Sequence, residues 1–294
     1  MAPRLYLVAA AVALAASAPY GPAKVIAHLE NPAVHESSGI AASRRWQGVF
    51  WTHNDSGDQP RVFAFDRQGR DRGAFTVAGA TNIDWEDIAI GPGPRPGAWY
   101  LYIGEIGGNK RDAAEVVIYR VPEPQPRDGG SAGTERSFAI HLRYPDHAHD
   151  AEALLVHPAS GDIYIVTKAF ADDRETVVFK APAPHTGAVR VMEQVGTVRF
   201  ANESVINLML GRVTSGDISP DARRVILCDY FRAHEAVLPA GQAFDEIWNQ
   251  EWMPVELAPR RQGEAICYRS DGRALLATSE GAPCPLQEVE QSGH

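Results

Sequence analysis

Apolar and polar residues alternate in short runs along this chain, and five denser apolar runs stand out, at residues 48–52, 99–103, 163–167, 224–228 and 274–278. Period-two alternation over four to eight residues is the signature of a β-strand, and no segment longer than a turn or two carries helical periodicity. Each dense run is preceded by a shorter strand with a shared opening. The openings are Glu36-Ser-Ser38-Gly-Ile40, Asp84-Trp-Glu86-Asp-Ile88, Asp150-Ala-Glu152-Ala-Leu154, Thr214-Ser-Gly216-Asp-Ile218 and Gln262-Gly-Glu264-Ala-Ile266. Side chains of a strand alternate between faces, so the first and third positions of each opening point the same way, about 7 Å apart.

The third positions are separated by 48, 66, 64 and 48 residues. A period in this range with several short strands per repeat predicts propeller blades. Third strands are expected at 61–65, 116–121 and 176–179, and fourth strands at 74–77, 138–142, 195–200 and 253–257. The last repeat is too short to make a blade alone. The strand-like segment 24–29 supplies the missing piece, so an all-β, five-bladed propeller closed by an N-terminal strand is expected, with six blades as the alternative. Such closure leaves no open sheet edge. Segments 122–134 and 202–205 read as insertions.

Composition narrows the class. Arg4, an apolar run over 5–16 and the small residues Ala16-Ser17-Ala18 read as a signal peptide at 1–18, with one propeller domain over 19–294. A secreted or periplasmic monomer with no membrane span after signal removal is the expectation. The net charge of −9 and the lack of a basic stripe argue against nucleic acid as a partner. Three cysteines, Cys228, Cys267 and Cys284, leave at least one unpaired within the chain, and no CxxC spacing suggests zinc.

Six of the ten opening positions are carboxylates, against about 1.3 expected from composition. In a propeller the openings and the turns after the second strands share one face, and those turns carry Asp55, Glu105, Asp229 and Glu280. Converging carboxylates repel, and either a hard cation or hydrogen bonds from neighbouring blades must relieve them. Calcium takes six to eight oxygens. The candidate metal ligands are Ser38, Glu86, Glu152 and Glu264, with Glu36, Asp84 and Asp150 beside them. His147-Ala-His149-Asp150 is a weaker metal candidate, for which a solvated loop is the favoured reading. Lys110 and Arg111 are the cations after the second turn, and Trp51, Trp85 and Trp99 read as packing between blades.

The segments Ser38-Gly-Ile, Trp85-Glu86-Asp-Ile-Ala, Ala151-Glu152-Ala-Leu and Gly263-Glu264-Ala-Ile, together with Asn54-Asp55-Ser-Gly and Tyr102-Ile-Gly104-Glu-Ile-Gly, resemble the calcium-activated nucleotidases, or apyrases. More loosely they are similar to phytase-like propellers. The resemblance implies five blades, an axial Ca2+ held by Ser38, Glu86, Glu152 and Glu264, and phosphate hydrolysis at a mouth containing Asp55. The fourth opening departs from it, with Gly216 where the family offers a serine. The resulting expectation is a calcium-dependent hydrolase of small phosphorylated anions, with Asp55 or Glu105 as the general base. The alternative is a non-catalytic module that binds a protein or cell-envelope glycan.

Overall fold

The computed structural model describes residues 20–108, 115–169, 175–200 and 212–292. The segment 1–18 read as a signal peptide, Lys110, Arg111 and the segment 202–205 lie outside the described residues. Five inner strands, Ser37–Ala42, Trp85–Pro92, Ala151–Val156, Ser215–Ile218 and Ala265–Tyr268, neighbour one another in cyclic order, the last touching the first. Each begins within a residue of the third position of its opening. Outward from them run the dense second strands, Val49–Asn54, Trp99–Glu105, Ile163–Thr167, Arg224–Cys228 and Ala274–Thr278. The five sheets are antiparallel through their four principal strands, which makes a five-bladed propeller.

The N-terminal strand Lys24–His28 pairs with Pro285–Glu290 and is the outermost strand of the fifth blade. Ring closure thus joins the two ends of the described chain. The loop read as an insertion at 122–134 holds a short strand, Ser131–Gly133, which adds in parallel to the outer edge of blade 1. Arg190–Val191 likewise adds to blade 2. A short 3-10 helix, Phe244–Asn249, reaches back to blade 3, where the β-carbon of Trp248 would lie 2.6 Å from one placed on Gly196. Connectors of later blades therefore cover the edges of earlier ones.

The apolar core is divided among the five seams between blades, one cluster to each. Trp51 and Trp85 are fully buried in the seam between blades 1 and 2, with Trp99 packed against it. All three cysteines are buried and free. Among the described residues no helix is long and apolar enough to cross a membrane.

In the third strand of blade 4, Ala233–Val237, His234 is buried and stacked on Phe200 at 3.9 Å. Burial pushes its imidazole down to about 4, with Asp229 opposing and Arg232 assisting. A depressed histidine stabilises the fold above its unfolded value of 6.5, and that contribution disappears as pH falls towards 4. Between pH 6.5 and 4 the wild type is expected to lose about 3 kcal/mol more stability than a His234→Phe variant, read from denaturant melts at each pH. Parallel curves for the two proteins would contradict it.

Candidate metal centre at the mouth

The inner strands of blades 1 to 3 share a local irregularity. Their pairing with the second strands slips by one residue at Ser38, at Glu86 and at Glu152, so each of these is the extra residue of a β-bulge. A bulge breaks the alternation of faces and re-aims the side chain it carries. Plain strand alternation therefore does not place these three side chains. In blades 4 and 5 the pairing is regular, and Glu264 lies immediately before its strand.

Seven carboxylates meet at the mouth in three overlapping sets: Asp55 with Asp84 and Glu86, Glu86 with Asp150 and Glu152, and Asp55 with Glu264 and Glu280. Within each set one oxygen per residue lies within 4.8 Å of the others. Blades 1, 2, 3 and 5 all contribute. Blade 4 contributes no acid to these sets, and at Gly216 there is no room for a side chain, since a β-carbon there would lie 2.5 Å from Leu227 and 2.9 Å from the carbonyl of Ile226. Thr214 and Ser215 beside it are engaged, Thr214 Oγ1 donating to the carbonyl of Gly263 at 2.9 Å and Ser215 Oγ to Asp87 at 3.2 Å. Glu36 joins none of the three sets; its side chain is 46% exposed, 3.4 Å from His35.

Burial and mutual repulsion raise these carboxyls. Asp84 is pushed up to about 6 by burial, then by Asp55, Asp150 and Glu105. Glu86 is raised well above the usual range by burial and by Glu152. Burial lifts Glu152 to about 7 although Lys168 donates to it and pulls the other way. Glu264 rises to about 9, through burial and then a contact with Glu280, and Gln262 Nε2 bridges the two at 2.8 and 2.9 Å. Lys168 is the buried ammonium set against this cluster, and it is occupied by Glu152 and lies over the ring of Tyr230.

Two further observations bear on a cation. Asp150 is 2% exposed, and while its Oδ1 accepts from the backbone of Gly108 at 2.8 Å, its Oδ2 is buried without a partner among the described residues. Gly107 presses on the cluster so closely that a β-carbon there would lie 2.2 Å from Glu86 Oε1 and 2.3 Å from Asp84 Oδ2. The donor set is all oxygen, as a hard divalent ion requires. Ser38 Oγ donates to the carbonyl of Glu86 at 2.8 Å, and its remaining lone pairs are compatible with a ligand role. The residues present therefore fit a hard cation.

Glu105 accepts the backbone N–H groups of Ile83 at 3.0 Å and Asp84 at 2.6 Å, which fixes the loop entering blade 2. His53 does not reach the mouth; it is buried edge-on to Trp85. Asp146 lies 3.2 Å from His147 Nδ1 and 3.0 Å from His149 Nε2, and these three make a separate, more exposed set.

Sequence reasoning missed Asp87, which sits as a spacer inside the second opening. Its fully buried carboxylate accepts from the backbone of Ile88 at 2.9 Å, Leu154 at 3.0 Å and Gly216 at 3.4 Å, besides Ser215. A β-carbon on Gly39 would meet it at 2.8 Å. Asp217 repeats the motif two blades on, accepting from Ile218 and Tyr268. An acid at the fourth position of two openings was the available signal. Hydrogen bonding that locks the ring is thus real, but it belongs mainly to these spacer acids.

Fold and site together define a five-bladed propeller with a carboxylate-lined mouth that can coordinate a metal ion. No family model matches the chain, and no curated protein does. The solved structures it is similar to include a gluconolactonase from Xanthomonas campestris, at 13% identity and a TM-score of 0.47 over 93% of this chain and 88% of that one. A Thermus thermophilus protein described as an oxidoreductase (glucose dehydrogenase) is 9% identical, with a TM-score of 0.45 over 91% and 99%. Hydrazine synthase of Kuenenia stuttgartiensis is 8% identical, with a TM-score of 0.39 over 85% and 70%. At these identities the likeness assigns no activity.

Proposed function

We propose that this is an exported propeller that holds a calcium ion at its mouth and hydrolyses small phosphorylated anions beside it. The observation that carries the reading is the buried carboxylate of Asp150, which converges with Glu86 and Glu152 and has one oxygen with no hydrogen-bond partner among the described residues. Those three residues, with Asp84, Glu264 and Ser38, would hold the ion, and Glu36 would act from the rim. The ion would offset the carboxylates and polarise a phosphoryl oxygen. Asp55, shared by two of the carboxylate sets, would take a proton from an attacking water. Glu105 holds the 83–84 loop in register, and the exposed Arg232 and Arg261 stand on the turns of blades 4 and 5 to meet an anionic substrate.

Calcium is expected to raise the melting temperature and chelator to lower it, with about 4 kcal/mol of stabilisation at a thousandfold excess over the dissociation constant. Phosphate release from a panel of nucleotides, phytate and aryl phosphates should need calcium and fall by roughly 100- to 10,000-fold in Asp55→Asn. Melts indifferent to both calcium and chelator would remove the proposal.

A second reading is a calcium-rigidified binding module. Ile83 at 73% exposure and Phe231 at 42% put large apolar side chains on mouth-side loops, and Lys168 is already committed to Glu152. Its mark is a calcium-dependent melt with no phosphate released from any member of the panel.

A further inference from the structure

On the face of the disc opposite the mouth, where the inner strand of blade 2 ends at Pro92, the groove between blades 2 and 3 opens into a cavity of about 300 Å³. Arg120, His185, Tyr102 and Ser160 contribute polar groups to its wall, among prolines and glycines. Arg120 is only 8% exposed, and among the described residues no carboxylate pairs with it. Its guanidinium lies 5.0 Å from the ring centre of Phe138 and 5.8 Å from that of Tyr100. These π faces hold the cation without cancelling its charge. The acid near the cavity, Asp162, is taken up by Lys180 at 3.3 Å and by the backbone of Ala183 at 2.9 Å.

His185 lies beside this cation. Its Nε2 is 2.8 Å from the carbonyl of Gly161 and so donates to it, while Nδ1 is buried and has no partner among the described residues. Burial, with Arg120 and Arg190 adding to it, lowers the imidazole's basicity and favours the neutral ring. A neutral ring whose Nε2 carries the proton presents Nδ1 as an acceptor. The wall therefore offers a fork of N–H donors for an oxyanion, and beside it a buried ring nitrogen that lacks a donor.

We propose that this cavity is a binding site for a compact oxyanion bearing a hydroxyl, with carboxylate or phosphate oxygens on Arg120 and the hydroxyl donating to His185 Nδ1. The guanidinium fork matches either oxyanion, and a buried guanidinium gains most from such a partner. A hydroxycarboxylate supplies both groups from adjacent carbons; a hydrogen phosphate supplies both from one phosphorus. The site is separate from the mouth and does not depend on a metal.

Calorimetric titration of the full chain in chelator tests this with inorganic phosphate, glycolate and acetate. Phosphate or glycolate is expected to bind one per chain, and acetate about tenfold more weakly than glycolate for want of the hydroxyl. Saturation by phosphate alone would mark a phosphate site, and by glycolate alone a carboxylate site. Arg120→Gln should weaken binding about 30-fold or more, and Arg120→Lys, which keeps the charge but not the fork, by less. If Arg120→Gln does not fold, the His185 ring resonances of the wild type report instead, and they should move on titration. No binding of any of the three anions to the wild type, equal binding to wild type and Arg120→Gln, or unmoved His185 resonances at saturation would each overturn the assignment.

Discussion

Asp87→Asn is expected to destabilise the propeller by about 3–5 kcal/mol, the size of effect seen when a buried, fully hydrogen-bonded charge is broken. Every partner found for the carboxylate is a donor: the backbones of Ile88, Leu154 and Gly216 and the hydroxyl of Ser215, from blades 2, 3 and 4. An asparagine keeps the shape, but one of its two atoms becomes an NH2 pointed at other N–H groups. Burial pushes the Asp87 carboxyl up while these donors pull it back, so the site depends on their number. In a chain of this size the loss corresponds to a fall in melting temperature of roughly 10 °C. Asp217→Asn should cost less, since its carboxylate serves only Ile218 and Tyr268. A melt for Asp87→Asn within a degree or two of wild type would show that the ring does not rely on this charge.

The second large effect concerns the mouth. Gly107→Ala should weaken calcium binding by about 100-fold or more while leaving the chelated protein folded at a penalty of about 1–3 kcal/mol. The added methyl would fall into the space where Glu86 and Asp84 bring their oxygens, at 2.2 and 2.3 Å. The loop also cannot retreat freely, because Gly108 donates to Asp150 and Glu105 holds the backbone on the other side. Calorimetry of the two proteins with calcium provides the comparison. Equal affinities would mean that the ion, if bound, is not held by Glu86 and Asp84.

Much of the fold could be read from pattern. The five openings, the five dense runs and the short final repeat led to five blades and an N-terminal closing strand, because burial between blades imposes the same alternation each time. The third strands of blades 4 and 5 were harder to see. Ala233–Val237 carries His234 and Glu235, and Pro285–Glu290 carries Gln287 and Glu288, all buried. Tertiary partners make those polar groups tolerable: Tyr20 and Tyr268 donate to Glu235, and Gln287 exchanges bonds with the backbone of Ala258. Such partners lie too far away in sequence to register locally.

At the site, Asp55, Asp84, Glu86, Asp150, Glu152 and Glu264 were visible as repeated acids, and their convergence follows from the ring. The bulges were not visible, since a one-residue slip leaves composition unchanged. Glu36 shares its place in the repeat with Asp84 and Asp150 yet sits beside His35 instead. Gly107 reads in the sequence only as part of a glycine-rich turn, because the close approach that makes it matter is between segments about 20 residues apart.

The back-reaching connectors carry a consequence for the order in which the blades assemble. Blade 2 supplies Ser131–Gly133 to blade 1, blade 3 supplies Arg190–Val191 to blade 2, and blade 4 lays its short helix on blade 3. A chain emerging N-terminus first therefore caps each nascent sheet with the segment that follows, and few unpaired edges face the solvent at any stage. The strand at 24–28 is the exception: made first, it waits for 285–290, made last. Until that final pairing, the backbone N–H and C=O groups of 24–28 have no sheet partner, and the fifth blade lacks its outermost strand.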